Sequence, residues 1–504
     1  MSDTGPTAHS LETSLPDPVE AENVRYDPPA EELRSLSAHL ETTTEFGSPS
    51  YVSDQQSRQA DRTRNDVDES FGPEDYAHVE TALDAVRDPD REFVCLDRRM
   101  GRHEDHSYRC RYYVPVEQAR IALALTRLFE PCDGPGEPDF VTIQLPDHDE
   151  IAIRTLVDRG VTAVLGSDYT GEAKKSFLRL FMHRTKAAGG LGLHAGSKRV
   201  TLRDGEGGTR DVGQLFLGLS ATGKSTLTAH GLWLDGEEHA TMLQDDVCAL
   251  LPDGTVAGSE GNGLYVKTIG LDREEQPSVH AAVTHESAVL ENVDVSESGE
   301  VDFDSDRHTT NGRAVILRER LDSADADIDL GRVDQVFFIT RNPAMPPVTK
   351  LSSAEAAAAF MLGESIQTSA GDPSAAGESI RVVGTNPFIV GSEGEEGNRF
   401  RELIDSLDVD CFLLNTGTVG ARDIGVEESV TILRELARGT VTWGEDEATG
   451  LTVPSEVPGI DIGAFGVAEN VSGYEGRLAD LREERRAYLA AFEDLDSDVL
   501  DAVY

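Results

Sequence analysis

Residues 218–226 have the composition and spacing of a phosphate-binding loop, GxxxxGK followed by a hydroxyl residue. In such a loop, backbone N–H groups surround the phosphate oxygens, the lysine reaches the terminal phosphates, and the hydroxyl binds a divalent ion. Lys224 and Ser225 are predicted to do this here. The residues predicted to bind the nucleotide are Gly218, Leu219, Ser220, Ala221, Thr222, Gly223, Lys224, Ser225 and Thr226.

Asp245 and Asp246 follow the loop, at the end of an apolar segment. A carboxylate at a strand end beside a phosphate loop is a natural ligand for the metal ion that accompanies a nucleotide. The alternative is a surface Asp pair in an acid-rich protein. Asp246 is therefore a candidate metal ligand.

Lysine is scarce, and this makes each remaining lysine informative. Arginine is a forked group that stays charged, whereas lysine is compact and loses its proton more readily when buried, so the two do not replace each other at a reactive site. Lys174 and Lys175 are adjacent, and an exposed surface pair is the alternative interpretation. His194 lies in a Gly-rich stretch with apolar neighbours, and a lone histidine is more often structural than a ligand. The seven lysines are Lys174, Lys175, Lys186, Lys198, Lys224, Lys267 and Lys350.

The elements that must position these residues follow an α/β pattern. The loop is preceded by the apolar strand GQLFLGL and followed by a predicted helix, KSTLTAHGLWL, and a second helix follows Lys174 and Lys175. Strands and helices alternate irregularly, which predicts mixed sheets. We expect a disordered acidic tail over residues 1–25. An N-terminal domain over 26–189 and a larger C-terminal nucleotide- and metal-binding domain over 190–504 should follow, because the sequence changes to predicted strands and Gly-rich turns from Gly189 onward.

The net charge of −48 excludes several classes of function. Acid spread along the whole chain repels nucleic acids and anionic membranes, so neither is an expected partner. The sequence contains no apolar run long enough to span a membrane and no signal-peptide pattern at its start. The five scattered cysteines suit a reducing cytoplasm. The acidic excess is typical of proteins from salt-accumulating organisms, in which counterions screen self-repulsion.

Several segments together resemble the ATP-dependent phosphoenolpyruvate carboxykinases, in that family's order. They run from about Phe140 to Gly439. The segments are DYTGEAKKS, LHAGS, LFLGLSATGKSTL, QDD, GLYVKTI, LENV, TTNGR, PPVTKLSSAEAAAAF, and LLNTGTVG followed by Arg422. The resemblance implies two α/β domains with mixed sheets, an active site in the cleft between them, and the phosphate loop in the larger C-terminal domain.

The resemblance also implies a role for each matching residue. Lys175, His194 and Asp246 match the positions that bind catalytic Mn²⁺, and Ser225 matches the hydroxyl on the nucleotide-associated Mg²⁺. Lys224 and Lys267 match lysines on the ATP phosphates. The remaining matches are Arg313 between phosphate and substrate, Tyr169 and Lys174 near the substrate carboxylate and CO₂, and Arg422 and Ser429 at the adenine end.

The chain departs from the family pattern at named positions. The counterpart of the family's substrate-binding arginine is Arg58, Arg62 or Arg64, and we favour Arg58. Ala221 stands where the family loop has Gly. The family's Glu-Pro near the nucleotide reads Gln276-Pro277 here, with Glu275 adjacent, and the segment after PPVTKL is shortened.

The implied reaction is oxaloacetate + ATP to phosphoenolpyruvate, CO₂ and ADP, a metal-dependent step of gluconeogenesis. Another ATP-dependent phosphotransferase on the same scaffold, or a nucleotide-binding regulator without catalysis, are the alternatives. The sequence leaves the oligomeric state open, and a monomer is compatible with it.

Overall fold

The structure of the chain is a computed structural model that describes residues 11–219, 222–274, 276–366 and 379–504. Ser220 and Ala221 of the predicted phosphate loop lie outside the described residues, as does Glu275. The described chain combines helices with several sheets that contain both parallel and antiparallel strand pairs. The predicted mixed α/β class is confirmed.

The helices and strands of this part of the chain are numbered here in sequence order. The α-helices are α1 (Ala30–Leu36), α2 (Pro73–Arg87), α3 (Ala119–Leu128), α4 (Thr170–Ala187), α5 (Lys224–Ala229), α6 (Pro277–Val283), α7 (Ser353–Leu362), α8 (Glu393–Leu407), α9 (Val426–Arg438), α10 (Val467–Asn470), α11 (Tyr474–Leu489) and α12 (Ser497–Asp501). The first ten β-strands are β1 (Val24–Tyr26), β2 (Thr42–Thr43), β3 (Pro49–Tyr51), β4 (Thr63–Asn65), β5 (Phe93–Met100), β6 (Tyr108–Pro115), β7 (Glu130–Pro131), β8 (Phe140–Leu145), β9 (Ala152–Leu156) and β10 (Val161–Leu165). The next ten are β11 (Leu191–Leu193), β12 (Ala195–Arg203), β13 (Thr209–Gly218), β14 (His239–Gln244), β15 (Cys248–Leu250), β16 (Val256–Gly258), β17 (Gly263–Lys267), β18 (Val289–Glu291), β19 (Asp294–Val295) and β20 (Val301–Asp302). The last ten are β21 (Arg313–Leu317), β22 (Gln335–Thr340), β23 (Val348–Leu351), β24 (Glu364–Ile366), β25 (Ser379–Arg381), β26 (Asp410–Asn415), β27 (Thr418–Val419), β28 (Arg422–Asp423), β29 (Thr442–Glu445) and β30 (Thr452–Glu456).

The chain divides into two compact units whose limits differ from the predicted domains. The first unit runs to Arg184 and takes in Ser259–Asp322, and the second comprises Thr185–Gly258 with Ser323–Tyr504. The sequence predicts one continuous domain from residue 190 onward. Residues 259–322 join the first unit instead because their strands β17, β21 and β18 continue into β3 and β2 as one five-stranded sheet. Strand pairing between distant segments leaves little trace in local sequence.

The first unit is built on a larger mixed sheet with the strand order β1-β5-β6-β8-β10-β9-β4. Its core includes the apolar face of α2. Leu11 is buried in the same core, and β1 pairs in parallel with β5 from Val24 onward. The described residues 11–25 are therefore packed against this unit, which differs from the disordered tail predicted through residue 25.

The second unit is built on a mixed sheet with the order β14-β12-β13-β22-β26-β23-β30-β29. Its central strands β13, β22 and β26 are parallel, and they are buried, near-continuous apolar runs, as expected for strands covered on both faces. Phe216, Phe337 and Phe412 stack across these three strands with ring centroids 5.2 Å apart in each neighbouring pair. This packing fixes the register of the strand that leads into the phosphate loop.

Helix α5 is shorter than the predicted helix, which runs to Leu234. It ends at Ala229 because the chain then turns through Gly231, and both Leu232 and Trp233 adopt left-handed φ angles of 56° and 51°. Such angles are incompatible with a continuing right-handed helix.

No helix in the described ranges has both the length and the apolar character needed to cross a membrane. All five cysteines are free thiols.

Candidate active site

Strand order in the second unit brings three separate sequence motifs to one edge of its sheet. His194 immediately precedes β12, the phosphate loop follows β13, and Asp245 and Asp246 follow β14. Strand β12 lies between the other two and is antiparallel to both, with Ala195 opposite Leu217 and Ser197 opposite Gln244. The start of β12 therefore meets the ends of β13 and β14.

The described part of the phosphate loop has the conformation that its sequence requires. Gly223 has φ 101°, a left-handed angle that favours glycine, and it immediately precedes α5. The Thr222 hydroxyl donates to the Leu219 carbonyl oxygen at 2.7 Å, and Thr416 donates to the Thr222 carbonyl oxygen at 2.7 Å. Ser225 and Thr226 are exposed in the first turn of α5. The Ser225 hydroxyl is thus available to a ligand of this loop.

His194 is fixed by a hydrogen bond to the backbone. Its Nδ1 lies 2.5 Å from the Thr385 carbonyl oxygen. A carbonyl oxygen can only accept, so Nδ1 carries the proton, and in the neutral ring the lone pair is on Nε2. Burial, followed by the Lys224 charge, lowers the pKa of His194 and favours this neutral form.

The lone pair of His194 faces a carboxylate and a cation. Nε2 lies 3.0 Å from Asp246 Oδ1 and 3.1 Å from Lys224 Nζ, and Lys224 Nζ lies 3.7 Å from the same Asp246 oxygen. His194 Nε2 and Asp246 Oδ1 both carry lone pairs and would repel each other at this distance. The positive charge of the Lys224 ammonium offsets this repulsion. The Oδ1 atom of Asp245 is buried and has no hydrogen-bond partner in the described part of the chain. An imidazole nitrogen held in the metal-binding tautomer beside carboxylates fits a divalent cation.

The first unit holds a second group of predicted residues around the ring of Tyr265, on β17. Lys174 Nζ lies 5.7 Å from the centre of this ring, and the Arg313 guanidinium lies 5.4 Å from it. The Tyr169 ring is 6.3 Å away, centre to centre. Cations are attracted to the faces of aromatic rings, so Tyr265 holds Lys174 and Arg313 on one local surface.

Hydrogen bonds and an ion pair fix this group further. The Tyr265 hydroxyl donates to Glu291 at 2.5 Å. Asn311 donates to the Tyr169 hydroxyl oxygen at 3.3 Å and accepts from Arg313 at 2.9 Å. Lys174 pairs with Glu260, while Lys175 lies with Nζ 5.3 Å from the centre of the Tyr169 ring. The two adjacent lysines thus have different surroundings.

Lys267 and Arg313 are direct cross-strand partners at the ends of β17 and β21. Neither side chain forms an ion pair with a carboxylate in the residues that the structure describes, and the Arg313 Nε is buried without a hydrogen-bond partner. The chain carries 93 acidic and 45 basic side chains, so a neighbouring pair of cations without carboxylate partners is unusual in it. Such a pair is suited to bind an anion such as a phosphate group.

The structure distinguishes the three candidate substrate-binding arginines. Arg64 pairs with Glu69 and Asp75, and Arg62 is exposed. Arg58 is partly buried, and its pKa is lowered by that burial, an effect opposed by the Glu172 charge. Arg58 therefore interacts electrostatically with Glu172 in the first turn of α4, and Lys174 and Lys175 follow in the next turn of the same helix.

Backbone hydrogen bonds hold the Arg58 loop against the start of α4. Asp168 accepts from the N–H groups of Asp54 and Gln55 at 3.0 and 2.9 Å, and Glu172 accepts from the N–H of Gln59 at 2.5 Å. Asn311 donates to the carbonyl oxygen of Gln56 at 2.9 Å. Four contacts within six residues give this loop a defined position.

The residues predicted near the nucleotide base have different degrees of access. Arg422 is exposed, with its guanidinium 4.6 Å from the centre of the Phe465 ring. Ser429 is buried, and its hydroxyl donates to the Gly425 carbonyl oxygen at 3.0 Å. Gln276 immediately precedes α6 in the first unit. Of these, Arg422 offers the accessible charged group.

Each unit therefore assembles part of the predicted site. The second unit brings together His194, Asp246 and Lys224, and the first brings together Tyr169, Lys174, Lys267 and Arg313. Sequence reasoning missed a set of supporting residues: Tyr265, Glu260, Glu291, Asn311 and the Thr385 carbonyl. Tyr265, Glu291 and Asn311 lie within the GLYVKTI, LENV and TTNGR segments and could have been found there, whereas a carbonyl contact has no sequence signal.

Comparisons with known proteins agree with the motifs. A family model described as phosphoenolpyruvate carboxykinase matches residues 41–462. A protein of Aeropyrum pernix named phosphoenolpyruvate carboxykinase (ATP) is 36% identical over 477 residues, covering 93% of this chain and 94% of that protein. A Chelativorans protein of the same name is 32% identical over 325 residues, covering 62% and 57%. A Salinibacter ruber protein named phosphoenolpyruvate carboxykinase (ATP) 1 is 29% identical over 384 residues, covering 71% and 68%.

The family model covers well over half of the chain, and the Aeropyrum relative aligns with nearly all of it. The resemblance expected from the motifs is confirmed: the chain belongs to the family of ATP-dependent phosphoenolpyruvate carboxykinases.

Proposed function

We propose that this protein is an ATP-dependent phosphoenolpyruvate carboxykinase, which converts oxaloacetate and ATP to phosphoenolpyruvate, CO₂ and ADP. Loss of CO₂ from oxaloacetate leaves the enolate of pyruvate, and its oxygen then takes the γ-phosphoryl group of ATP as ADP leaves. The reaction produces phosphoenolpyruvate for gluconeogenesis. Besides family membership, the observation that carries the proposal is the cluster of Lys224, His194 and Asp246 beside the phosphate loop.

Lys175, His194 and Asp246 are proposed to bind Mn²⁺, and Ser225 to bind the Mg²⁺ that accompanies ATP. His194 and Asp246 meet in the second unit, and Lys175 belongs to the first, so its share in the site rests on the family resemblance. An amine, an imidazole and a carboxylate are mixed nitrogen and oxygen donors, which suit Mn²⁺ better than Mg²⁺ or Ca²⁺. When bound, such an ion supplies Lewis-acid stabilisation of negative charge.

ATP is proposed to bind along residues 218–226. The described members of this loop place Lys224 and the exposed Ser225 at the start of α5. Lys267 contributes a second cation to the phosphates. Arg422 is proposed to contact the adenine end. Ser429 is proposed to support this end indirectly, because its buried hydroxyl donates to the Gly425 carbonyl oxygen. Gln276 stands where the family has a glutamate near the nucleotide.

The first unit is proposed to bind oxaloacetate. Arg313 lies beside Lys267, which suits a residue placed between the phosphoryl group and the substrate. Tyr169 and Lys174 are proposed to lie near the substrate carboxylate and CO₂. Arg58 is the favoured partner of a substrate carboxylate, because Arg64 already pairs with acids and Arg62 is exposed.

We also propose that the protein works in the cytoplasm of a salt-accumulating organism. Its five free cysteines suit a reducing compartment, and its net charge of −48 suits a high concentration of counterions.

The proposed activity is tested by incubating purified protein with oxaloacetate and ATP in molar KCl with Mn²⁺ and Mg²⁺. Phosphoenolpyruvate, CO₂ and ADP should form in equal amounts, and Lys224→Met should abolish their formation. ATP binding without turnover would favour a regulator. Phosphoryl transfer from ATP to other enols or alcohols, without decarboxylation of oxaloacetate, would favour a different phosphotransferase.

A further inference from the structure

Lys198 is one of the seven lysines, and the proposed reaction gives it no role. Its side chain is fully buried in the middle of β12. Its Nζ donates to the carbonyl oxygen of Leu227 and, at 2.7 Å, to that of His230. These two carbonyls belong to the last turn and the C-cap of α5, the helix that begins with Lys224.

These two hydrogen bonds stabilise the C-terminal end of a short helix. The last carbonyls of any helix lack partners inside the helix, and a cation near them interacts favourably with the helix dipole. Helix α5 has six residues, too few to be stable without tertiary contacts. Lys198 supplies two of the missing donors from the neighbouring strand.

The ammonium of Lys198 has no carboxylate partner in the described ranges. Burying such a group is costly unless its hydrogen bonds are satisfied, and burial lowers the pKa of Lys198 to about 7. Besides the two carbonyls, the ammonium lies 5.5 Å from the centre of the Phe216 ring. The unfavourable free energy of burying this ammonium is therefore offset mainly by its hydrogen bonds to the two α5 carbonyl oxygens.

A second contact ties the same helix to the same strand. A Cβ added to Gly196 would lie 2.3 Å from the Thr228 hydroxyl oxygen, so β12 and α5 are in close contact at this point. The Thr228 hydroxyl in turn donates to the Lys224 carbonyl oxygen at 2.8 Å. The position of the first turn of α5, which carries Lys224 and Ser225, therefore depends on contacts with β12.

We propose that Lys198 is a positioning residue for the nucleotide: it fastens α5 to β12 and so sets where Lys224 and Ser225 meet the ATP phosphates. The inference rests on the proposed function only in assigning ATP to this loop. Equilibrium ATP binding tests it separately from turnover, so failure of the proposed reaction and failure of this inference give different results.

Lys198→Met keeps the length of the side chain and removes its donors. We expect its Kd and KM for ATP to rise by about tenfold, with kcat changed less than about threefold, because a displaced helix weakens phosphate contacts without removing catalytic groups. The KM for oxaloacetate should not change. Lys198→Gln retains an N–H donor and should recover part of the ATP affinity. Lys350→Met, which removes a surface lysine paired with Asp410 on the same sheet, is the matched control.

Equal ATP affinity in wild type and Lys198→Met would overturn the inference. So would a parallel loss of kcat, oxaloacetate affinity and melting temperature, because that pattern indicates general damage to the fold. If Lys198→Met does not fold in molar KCl, Gly196→Ala tests the neighbouring contact of β12 with α5, at Thr228. It should displace Thr228 and weaken ATP binding, and unchanged ATP binding in a folded Gly196→Ala protein would also contradict the inference.

Discussion

The ammonium of Lys174 lies 3.1 Å from the carboxylate of Glu260, and the two side chains are only 2% and 5% exposed. Removing one member of a buried ion pair withdraws the charge that compensates the other, which typically costs about 3–5 kcal/mol. Glu260→Gln should therefore lower the free energy of unfolding by an amount of this order, measured by urea denaturation in molar KCl.

The double variant Lys174→Met/Glu260→Leu is the control for this pair. It should be less destabilised than Glu260→Gln, because both charges of the pair are removed together. A Glu260→Gln protein as stable as wild type would show that Glu260 does not compensate Lys174.

The metal assignment predicts a separation of two affinities. His194→Ala and Asp246→Asn should each weaken Mn²⁺ binding by at least about tenfold and lower turnover, since each removes a proposed ligand. ATP should still bind, because Lys224 and Ser225 remain. Titration calorimetry with Mn²⁺ and with ATP, alongside turnover, measures both affinities.

His239→Ala, an exposed histidine on β14, is the matched control and should leave both affinities unchanged. Wild-type Mn²⁺ dependence in His194→Ala or in Asp246→Asn would show that the assignment of that residue is wrong.

The sequence predicts local elements and motifs well where one segment suffices. The strand into the phosphate loop and the mixed α/β class are found as expected, because periodicity and turn residues act over a few positions. The limits of the two units were not predictable in this way, since residues 259–322 join the first unit through pairing with β3, which is distant in the chain.

The candidate site shows the same division. Lys224, His194 and Asp246 could be named from motifs, but their meeting depends on the order β14-β12-β13, which no local pattern states. The hydrogen bond from His194 to the Thr385 carbonyl could not be predicted, because any residue offers a carbonyl. The sequence alone does not distinguish Arg58, Arg62 and Arg64, because the ion pairs of Arg64 and the exposure of Arg62 depend on the tertiary structure.

The different burial and ion pairs of Arg58, Arg62 and Arg64 predict different effects of replacing each one. Arg58→Met should raise the KM for oxaloacetate by about tenfold or more, because it removes the charged partner proposed for the substrate carboxylate. Arg62→Met should change neither KM nor stability, since Arg62 is exposed. Arg64→Met should lower stability by up to about 1 kcal/mol through the lost pairs with Glu69 and Asp75, with KM unchanged. Steady-state kinetics of the three variants decide among them, and a KM effect in Arg62→Met or Arg64→Met alone would move the substrate contact away from Arg58.

The acidic composition predicts that the fold requires salt. At low ionic strength the net charge of −48 is unscreened, and self-repulsion should destabilise the compact state. The melting temperature should rise as KCl is increased from the millimolar to the molar range. A melting temperature that stays flat or falls with added salt would contradict the proposed adaptation to a saline cytoplasm.

Lys198 predicts how stability depends on pH. Burial lowers the pKa of Lys198 to about 7 in the folded protein, whereas an unfolded lysine keeps a pKa of about 10.4. Between these values the unfolded chain binds one more proton than the folded chain, so this group makes the free energy of unfolding rise with pH. The neighbouring His230 also has a pKa lowered by burial and by the Lys198 charge. Its effect on the pH dependence of stability is confined to pH values below about 6.5, the pKa of an unfolded histidine.

From pH 7 to pH 9 the stability of wild type should therefore increase relative to Lys198→Met by about 2 kcal/mol. Urea denaturation of both proteins at several pH values in molar KCl measures the difference, and Lys350→Met should follow wild type. A difference that stays constant or shrinks as pH rises would mean that Lys198 keeps its proton throughout this range. In that case the hydrogen bonds to Leu227 and His230 stabilise the ammonium more than burial destabilises it.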